Sequence, residues 1–568
     1  MKKYLIHLLI LLCLSGCSGK TGVENAGIIE GRGIEADSGM VVSAHPESSR
    51  IGVRILQKGG NAIDAAIATE FALAVCYPEA GNLGGGGFML IRTSVGNTDL
   101  IDFREKAPLL SSRDMYLDKD GNVSEDTSTD THLSTGVPGT VDGMILAHSK
   151  YGKLPFREVI QPAIDLAEKG FAVTKRQAAS LNSNRKLFIE RNVAGTAFVK
   201  DSLWKEGDIL IQNDLAETLK RIRDFGRNGF YSGKTARLLI KEMKRGNGII
   251  GENDLKEYKS VSRVPLSADY KGYKIITAAP PSGGGIILIQ LLKMIEPYPV
   301  KEWGFHSALT IHLMVEAERR SFADRSEYLG DPDFVKIPFD RLTDTKYVNE
   351  RMSSFNEKKA SPSQSIKPGS PEGYTSEQTT HFSVVDADFN AVSVTTTLNN
   401  TFGNSIVVDS AGFILNDEMD DFSVKPGHPD MYGMTGGEAN SIQPGKRMLS
   451  SMTPTIVEKS GKLFLVAGSP GGSTIPTSVF QVLVNVIDYG MNIQEAVDKG
   501  RFHHQWLPDY ISYERDAIDS LTVGKLNDMG HVLKARNSIG QVNAVQILKD
   551  GRKSGGADRR SYNSSCGY

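Results

Sequence analysis

The chain has 568 residues, of which 40% are hydrophobic and 23% are charged. This composition is typical of a soluble globular protein, and the length allows two ordinary domains or one large one. Lysine plus arginine total 65 against 67 for aspartate plus glutamate, so the net charge gives no reason to expect nucleic acid or a broadly anionic surface as a partner.

The first residues have the pattern of an export signal. Lys2 and Lys3 precede an apolar run over residues 4–14 that is too short for a stable bilayer span. The ending at Cys17 resembles a bacterial lipoprotein box, which implies removal of residues 1–16 and acylation of the Cys17 thiol. The alternative is an ordinary signal peptide with an incidental cysteine. We expect an exported lipoprotein, anchored to a membrane by lipid and facing the periplasm or the cell exterior.

Residues 17–38 are rich in glycine and polar residues and are expected to form a tether. Of the four cysteines, Cys13 leaves with the signal and Cys17 would carry the lipid. Cys76 ends an apolar helical stretch and is expected to pack as a small hydrophobe, and Cys566 lies near the C-terminus. Their spacing fits neither a disulfide framework nor a metal-binding motif.

The clearest helix prediction covers Asn61 to Val75, which is apolar on most sides and is followed by Pro78. A helix without a polar face is expected to be buried. Helical periodicity recurs in four later segments, around 157–169, 213–225, 234–245 and 306–322.

The chain changes character at Thr379. Residues 353–378 contain Ser, Pro, Lys, Glu and Gly with almost no large hydrophobe, which predicts an exposed, flexible segment. Two strands follow, His381–Asp386 and Ala391–Thr397, and the turn between them predicts a hairpin. A second hairpin is predicted from strands at Thr453–Val457 and Leu463–Ala467.

Three patterns resemble chemical motifs but fit them poorly. Gly229–Thr235 has three residues between its glycines, where a P-loop needs four, and follows a predicted helix instead of a strand; we interpret it as the turn before the next helix. Gly84–Gly87 lacks the spacing of a dinucleotide fingerprint and suits close backbone packing. His503 and His504 have no acidic cluster at metal-ligand spacing, which favours a structural role over a metal site.

A threonine at the start of a strand usually reflects β-propensity alone. Thr379 follows a segment expected to be exposed, however, so cleavage of the Gln378–Thr379 bond would give it a free α-amine. Such an amine has a pKa of about 7.7–8.0 and can act as general base to its own hydroxyl near neutral pH. The residues alone thus permit an N-terminal threonine nucleophile without requiring one.

The segment from Gln378 to Asp386 is similar to the processing junction of γ-glutamyltranspeptidases, which are N-terminal-nucleophile hydrolases. The resemblance extends from about residue 39 to the C-terminus. It is carried by motifs at Gly81–Phe88, Asp102–Glu105, Gly136–Thr140, Asn416–Phe422, Leu449–Met452, Gly468–Ser473 and Arg501–Gln505.

The resemblance implies a fold of the α/β (α+β) class, a four-layer αββα sandwich. It also implies that autoproteolysis at Gln378–Thr379 divides the chain into a large subunit, residues 39–378, and a small catalytic subunit, residues 379–568. The two pieces are expected to stay associated as a heterodimer. No cofactor or metal is implied.

The resemblance further implies the roles of the reacting groups. Thr379 would be the nucleophile of both self-cleavage and catalysis, and Thr397 would hydrogen-bond the Thr379 hydroxyl. Gly471 and Gly472, between a predicted strand and a predicted helix, would stabilise the tetrahedral oxyanion through their backbone N–H groups. A tight strand-to-helix turn would also account for these two glycines.

The implied substrate pocket holds both charges of a glutamyl zwitterion. Arg104 would bind the α-carboxylate, although a salt bridge to Asp102 or Glu105 is the structural alternative. The other residues implied in substrate binding are Ser450 and Ser451 for the carboxylate, Asn399, Glu418 and Asp421 for the α-ammonium group, and Tyr432 in a lid loop over residues 425–437. Relatives vary between Glu and Gln at position 418, which leaves the acceptor preference open.

The implied reaction begins with attack on the γ-carbonyl of glutathione or another γ-glutamyl compound. The resulting γ-glutamyl ester is then passed to water or to an amino acid or dipeptide acceptor. Two alternatives stay open. A relative on the same scaffold could take another acyl group, as a cephalosporin (glutaryl) acylase or a poly-γ-glutamate depolymerase does. A lipid-anchored binding protein that never matures is the alternative without catalysis.

Overall fold

The computed structural model describes residues 27–124, 127–193, 195–367, 379–425 and 437–568. The predicted lipidation, cleavage and lid residues Cys17, Gln378 and Tyr432 lie outside these ranges. Within them, no helix combines the length and the hydropathy needed to cross a membrane.

Helices and strands are interspersed along the described ranges. The helices are α1 (Pro46–Gln57), α2 (Ala62–Cys76), α3 (Thr140–Tyr151), α4 (Phe156–Lys169), α5 (Lys175–Arg191), α6 (Asn213–Phe225), α7 (Asn228–Tyr231), α8 (Gly233–Arg245), α9 (Glu252–Glu257), α10 (Gly284–Ile295), α11 (Val300–Trp303), α12 (Ala308–Tyr328), α13 (Phe339–Leu342), α14 (Thr345–Met352), α15 (Thr474–Ile487), α16 (Ile493–Asp498) and α17 (Ser520–Asp528). Short 3-10 turns lie at His132–Ser134, Ser363–Ser365, Glu418–Asp421 and Glu438–Asn440.

The strands are β1 (Ile29–Gly31), β2 (Glu35–Ala36), β3 (Met40–Ser43), β4 (Gly86–Arg92), β5 (Thr98–Asp102), β6 (Phe171–Ala172), β7 (Ile209–Leu210), β8 (Val261–Arg263), β9 (Leu266–Tyr270), β10 (Tyr273–Thr277), β11 (Thr379–Val385), β12 (Ala391–Thr397), β13 (Thr455–Lys459), β14 (Lys462–Gly468), β15 (Phe502–His503), β16 (Ile511–Glu514), β17 (Leu533–Arg536), β18 (Asn543–Ile547), β19 (Lys553–Ala557) and β20 (Ser564–Gly567).

Two large antiparallel sheets organise the molecule. The first has the order β1-β20-β3-β11-β12-β4-β5-β8 and the second the order β2-β19-β18-β14-β13-β10-β9. In the first sheet, β11 and β12 lie between β3 and β4. Strands that follow the predicted cleavage point are therefore hydrogen-bonded between strands that precede it.

Period-two alternation separates the faces of each sheet. In β4, Met89 and Ile91 belong to a hydrophobic core that includes residues of α1, α2, α4 and α6, whereas Phe88 and Leu90 belong to a second core. That second core also contains residues of the other sheet, such as Ile456, so it lies between the two sheets.

The second sheet repeats this arrangement on its outer side. Val457 and Leu465 belong to a third core with residues of α10, α12, α15 and α16, while their neighbours Ile456 and Val466 face the space between the sheets. One apolar core thus lies between the two sheets, and one lies between each sheet and its outer helices. These layers make a four-layer αββα sandwich. The predicted fold class is confirmed.

The helix predicted from Asn61 is α2, which is buried along its whole length. The Asn61 side chain accepts hydrogen bonds from the N–H groups of Ile63 and Asp64, and the Asp64 carboxylate accepts one from the Asn61 N–H, which forms a capping box. Cys76 ends the helix as a buried free thiol, in agreement with its prediction as a small core residue.

Both predicted hairpins are present, with end shifts of up to two residues. The first consists of β11 and β12, and the strand begins at Thr379 itself, two residues before the predicted start at His381. The second consists of β13 and β14. Each strand of the first hairpin is buried along its full length.

The segment that precedes the predicted cleavage point is exposed along much of its described part but is tied to the fold at specific residues. The N–H group of Ser363 donates to Asp509 Oδ2 at 2.7 Å, and the Trp506 indole N–H lies 2.8 Å from the carbonyls of both Ser363 and Ile366. The composition of residues 353–378 did not predict this anchoring. The part of the segment after residue 367 lies outside the described ranges.

Candidate active site

Thr379 lies at the first position of β11 and is 8% exposed. Phe382 and Val384 of the same strand face the helix side of the sheet, so alternation places Thr379 on the face toward the second sheet. Its partner in the antiparallel register is Thr397, the last residue of β12. Two threonine side chains are therefore neighbours at one end of the space between the sheets.

The end of β12 is held by a backbone N–H and a side-chain amide from outside the hairpin. The Thr397 hydroxyl oxygen accepts the Asn399 N–H at 2.9 Å, and the Thr397 carbonyl accepts from the Asn82 side-chain amide at 2.8 Å. Asn82 also accepts hydrogen bonds from the Gly85 N–H and the Thr140 hydroxyl. A hydrogen bond from Thr397 to Thr379 itself stays a prediction.

Asn82 and Asn399 connect this strand end to the rest of the site. Asn399 has a φ of 73°, a left-handed conformation that Asn tolerates better than most residues, and its side-chain amide donates to the Asp417 carbonyl at 3.0 Å. Asn82 received no role from the sequence. The signal was available, since Asn82 stands in the Gly81–Phe88 motif, but nothing in that motif reveals which strand its amide reaches.

Gly471 and Gly472 lie between β14 and α15, as predicted. Their φ angles are 130° and 54°, which L side chains rarely adopt, and a Cβ on Gly471 would approach Thr474 Oγ1 to 2.4 Å. The Gly471 carbonyl accepts the Thr474 N–H at 3.0 Å in the turn that enters the helix. The pair therefore serves the strand-to-helix turn, and its place before a helix N-terminus also suits anion stabilisation.

Arg104 lies at the centre of a buried charge cluster. Its guanidinium group donates to Glu418 through Nη1 and to Asp421 through Nη2, and Nη1 lies 3.3 Å from Glu105 Oε2. Nη2 also lies 3.3 Å from the Leu449 carbonyl. The fold thus brings together the three charged residues that the sequence placed in one substrate pocket.

Of the two interpretations of Arg104, the structural salt bridge is partly met, and substrate binding stays a prediction. Arg104 does pair with Glu105, as the structural alternative required, whereas its bond to Asp102 runs through the backbone N–H at 3.0 Å. The Asp102 carboxylate pairs instead with Arg263 and Arg447. The Arg104 guanidinium is consequently free of Asp102 and turned toward the 418–421 turn.

The cluster contains one cation and three carboxylates, and burial governs how they ionise. Desolvation raises the pKa of Glu105 to about 7, against the lowering pull of Arg104. Burial also raises the pKa of Glu418 well above its ordinary value. Glu418 Oε2 and Glu105 Oε1 have no hydrogen-bond partner within the described ranges. The pocket therefore has unmet capacity for positive charge or hydrogen-bond donors.

Ser450 and Ser451 directly follow Leu449, whose carbonyl accepts a hydrogen bond from Arg104. The Ser450 N–H donates to the Pro281 carbonyl at 2.9 Å, and its hydroxyl oxygen accepts the Met452 N–H at 3.1 Å. The Ser451 hydroxyl oxygen accepts from Arg325 at 3.3 Å. Both serines thus border the cluster, and Arg325 is a second buried cation that the sequence did not assign to this region.

The histidines of the Arg501–Gln505 motif are satisfied by protein groups. His503 lies 2.9 Å from Thr477 Oγ1 and 3.0 Å from Gln505 Oε1, and His504 lies 3.3 Å from Asp509. No cluster of three metal-ligating side chains occurs among the residues with described positions.

Comparison with known proteins identifies the family of this site. The family model described as gamma-glutamyltranspeptidase matches residues 48–568. The chain belongs to the γ-glutamyltranspeptidase family. It is 47% identical over 538 residues to the glutathione hydrolase proenzyme of Escherichia coli (strain K12), an alignment that covers 94% of this chain and 93% of that protein.

Solved structures agree with this family assignment. The Helicobacter pylori gamma-glutamyltranspeptidase structure is 43% identical, with a TM-score of 0.56, and covers 60% of this chain and 95% of that chain. The cephalosporin acylase of Bacillus halodurans has a TM-score of 0.82 at 23% identity, covers 95% of this chain and 97% of that chain, and shows the shared fold alone. The chain is an enzyme of the family with the N-terminal-nucleophile hydrolase fold.

Proposed function

We propose that the chain is a precursor that cuts its own Gln378–Thr379 bond and then acts as a γ-glutamyltransferase and glutathione hydrolase. The observation that carries this proposal is the position of Thr379. It begins a buried strand opposite Thr397, at the end of the space between two sheets. A free α-amine at this point would be the general base of the Thr379 hydroxyl.

The reaction proposed for Thr379 proceeds through an ester. The Thr379 hydroxyl loses its proton to the α-amine and attacks the γ-carbonyl of glutathione or another γ-glutamyl compound. Gly471 and Gly472 would stabilise the oxyanion of the tetrahedral intermediate, which collapses as the amine leaves with a proton. Water, an amino acid or a dipeptide then attacks the ester and releases Thr379. None of these steps draws on a cofactor.

The Arg104 cluster supports a zwitterionic donor. The Arg104 guanidinium is paired with Glu418 and Asp421. A donor with both an α-carboxylate and an α-ammonium group can replace these internal pairs, since its carboxylate takes Arg104 and its ammonium takes the two carboxylates. A glutaryl group, which lacks the ammonium, would leave the buried Glu418 and the partly buried Asp421 beside an Arg104 already paired with the glutaryl carboxylate.

The interleaved sheet supports a stable heterodimer of residues 39–378 and 379–568. Strand β11 pairs with β3 and strand β12 pairs with β4, so cleavage at Thr379 would leave every strand pair of the first sheet intact. The two pieces would also share the apolar core between the sheets.

We expect the predicted lid over residues 425–437, with Tyr432, to influence which acceptor reaches the ester.

The decisive experiment is denaturing electrophoresis of the purified protein, combined with assays of γ-glutamyl amide hydrolysis. The wild type should give two bands, and Thr379→Ala should give one uncut band with activity lower by about a thousandfold or more. Thr379→Ser is the matched control, because it keeps a hydroxyl and should still cut itself. A cleaved and active Thr379→Ala protein would refute the assignment.

The membrane anchor is a separate proposal. Lys2, Lys3 and the apolar run that ends at Cys17 support export and acylation of Cys17. Metabolic labelling with a radioactive fatty acid should mark the wild type and leave Cys17→Ala unmarked. Label retained in Cys17→Ala would place the lipid at another residue, and a wild-type protein released without lipid would favour an ordinary signal peptide.

A further inference from the structure

The His381 ring lies between the two sheets, two residues after Thr379 and on the same face of β11. Its Nδ1 atom is 2.9 Å from Thr395 Oγ1, and its Nε2 atom is 3.1 Å from Ser383 Oγ. The His381 carbonyl accepts from the Asn543 side-chain amide of the opposite sheet at 2.9 Å. Hydroxyls on two strands therefore fix the orientation of a fully buried ring.

Across the space between the sheets, this ring contacts Gly468, the last residue of β14. A Cβ atom on Gly468 would lie 2.4 Å from His381 Cε1 and 2.5 Å from Nδ1. The φ of Gly468 is not in the left-handed region, so backbone conformation does not require glycine there. Glycine is needed because the ring occupies the space of a side chain.

The contact between His381 and Gly468 lies close to both Thr379 and the Gly471–Gly472 pair along their strands. Ser393, which pairs with Ser383, donates to the Ala467 carbonyl, and one step further along both sheets His381 contacts Gly468. A further step in this direction leads to Thr379 in the first sheet and toward Gly471 in the second. The two groups therefore lie at the same end of the space between the sheets.

The ring is electrically neutral. Burial lowers the pKa of His381 to about 3, so the imidazole carries no charge near neutral pH. Both ring nitrogens lie at hydrogen-bond distance from a hydroxyl group, Nδ1 from that of Thr395 and Nε2 from that of Ser383. A histidine two residues from a nucleophile invites assignment as its base, but these contacts describe a different role.

We propose that His381 is a positioning residue whose ring acts as a spacer. The ring, seated against Gly468, sets the separation between Thr379 on one sheet and the Gly471–Gly472 turn on the other. This inference rests on the roles proposed above for Thr379 and the two glycines. Because a misplacement of about 1 Å can lower a rate by roughly 100-fold, a rigid ring at this point has a direct kinetic consequence.

The test compares purified full-length His381→Ala, His381→Phe, Gly468→Ala and the His381→Ala/Gly468→Ala double variant. Autocleavage rate, kcat and KM for a γ-glutamyl amide are measured for each. We expect His381→Ala and Gly468→Ala to lower kcat and the autocleavage rate by about 10- to 100-fold, with KM within about threefold. His381→Phe keeps the ring and should stay within about threefold of the wild type in kcat.

The double variant tests whether the two positions act through one contact. When the ring is absent, a methyl group at 468 no longer meets it, so the double variant should be no slower than His381→Ala alone. The matched control is His503→Ala, which removes another buried neutral imidazole with two polar partners. His503→Ala should lower the stability of the protein but leave kcat within about threefold of the wild-type value.

Several outcomes would overturn the spacer. One is an equal loss of kcat in His381→Phe and His381→Ala. Another is a loss of kcat in the double variant that equals the product of the two single losses. The third is a large change in KM with kcat intact. Loss of the acidic limb of the pH–rate profile in His381→Phe would instead make His381 the base. If His381→Ala does not fold, His381→Phe and Gly468→Ala decide the question. Activity in Thr379→Ala would refute the proposed function itself, whatever the His381 series shows.

Discussion

The Thr379 strand pair and the Arg104 cluster are assembled in opposite ways. Thr379 and Thr397 belong to one hairpin and meet because the turn fixes its register. Arg104, Glu418 and Leu449 come from distant segments and meet only after both sheets and the connecting turns have formed. The proposed nucleophile and its partner are therefore close in sequence, whereas the proposed site of charge recognition is assembled only by the tertiary structure.

The two regions also differ in what they require of a ligand. The threonine pair is neutral, and in the proposed reaction its base is the α-amine that cleavage gives to Thr379. The Arg104 cluster surrounds one guanidinium group with two buried carboxylates and one partly buried carboxylate, and oxygens of Glu105 and Glu418 have no hydrogen-bond partner among the described residues. Self-cleavage should therefore proceed without the Arg104 cluster, whereas donor binding should require it.

The largest expected effect separates these two regions. Arg104→Lys keeps a positive charge but loses the planar fork that reaches Glu418 and Asp421 together. We expect kcat/KM for a γ-glutamyl donor to fall by about 100-fold or more, mainly through KM, while autocleavage stays within about threefold. Steady-state kinetics and electrophoresis of the precursor over time measure both quantities.

Arg104→Ala is a less selective variant, because it leaves buried carboxylates without their cation and should cost about 3–5 kcal/mol of stability. If Arg104→Lys blocked autocleavage as strongly as it weakened donor use, the two regions would not be independent. The contrast between local and tertiary assembly would then have no functional counterpart.

An intermediate effect is expected at Thr397. Thr397→Val keeps the β-branched shape but removes the hydroxyl oxygen that accepts the Asn399 N–H. We expect kcat and the autocleavage rate to fall together by about tenfold, the equivalent of one hydrogen bond, with KM unchanged. Thr397→Ser is the control and should stay near the wild type. A loss in kcat without a loss in autocleavage would contradict a shared nucleophile environment.

The smallest effect concerns the pH dependence of stability. Burial raises the pKa of Glu105 from 4.5 to about 7, so between these values the folded protein binds a proton that the unfolded chain releases. The contribution of Glu105 to stability is therefore full below about pH 4.5 and is lost as the pH rises toward 7. Glu105→Gln should lose less stability than the wild type between pH 5 and pH 7.5, as measured by the thermal midpoint.

Glu438→Gln provides a control of opposite sign. The hydrogen bond and charge of Arg113 lower the pKa of Glu438, so its contribution is present at higher pH and is lost on acidification. The effect should be small because this ion pair is largely exposed. An unchanged pH dependence in Glu105→Gln would mean that Glu105 is not the group that holds the proton in this cluster.

Much of the fold could be predicted from local patterns. Apolar residues around the whole of Asn61 to Val75 indicated a buried helix, and the alternation from His381 onward indicated a hairpin. Such patterns are visible because helices and hairpins form between residues close in sequence. The anchoring of Ser363 by Trp506 and Asp509 was not visible, because a polar segment gives no sign of the distant groups that hold it.

The sequence by itself determined which residue types stand at the reactive positions: a threonine at a strand start, a pair of glycines before a helix, and an arginine and acidic residues in recognisable motifs. Only the tertiary structure decided that Arg104 reaches Glu418 and Asp421, that Asn82 holds the end of β12, and that Gly468 accommodates the His381 ring. The physical reason is the separation along the chain of the residues that interact. Hydrogen-bond register within a hairpin is set by neighbouring residues, whereas buried charges and the spacing between sheets depend on segments that meet only in the folded protein.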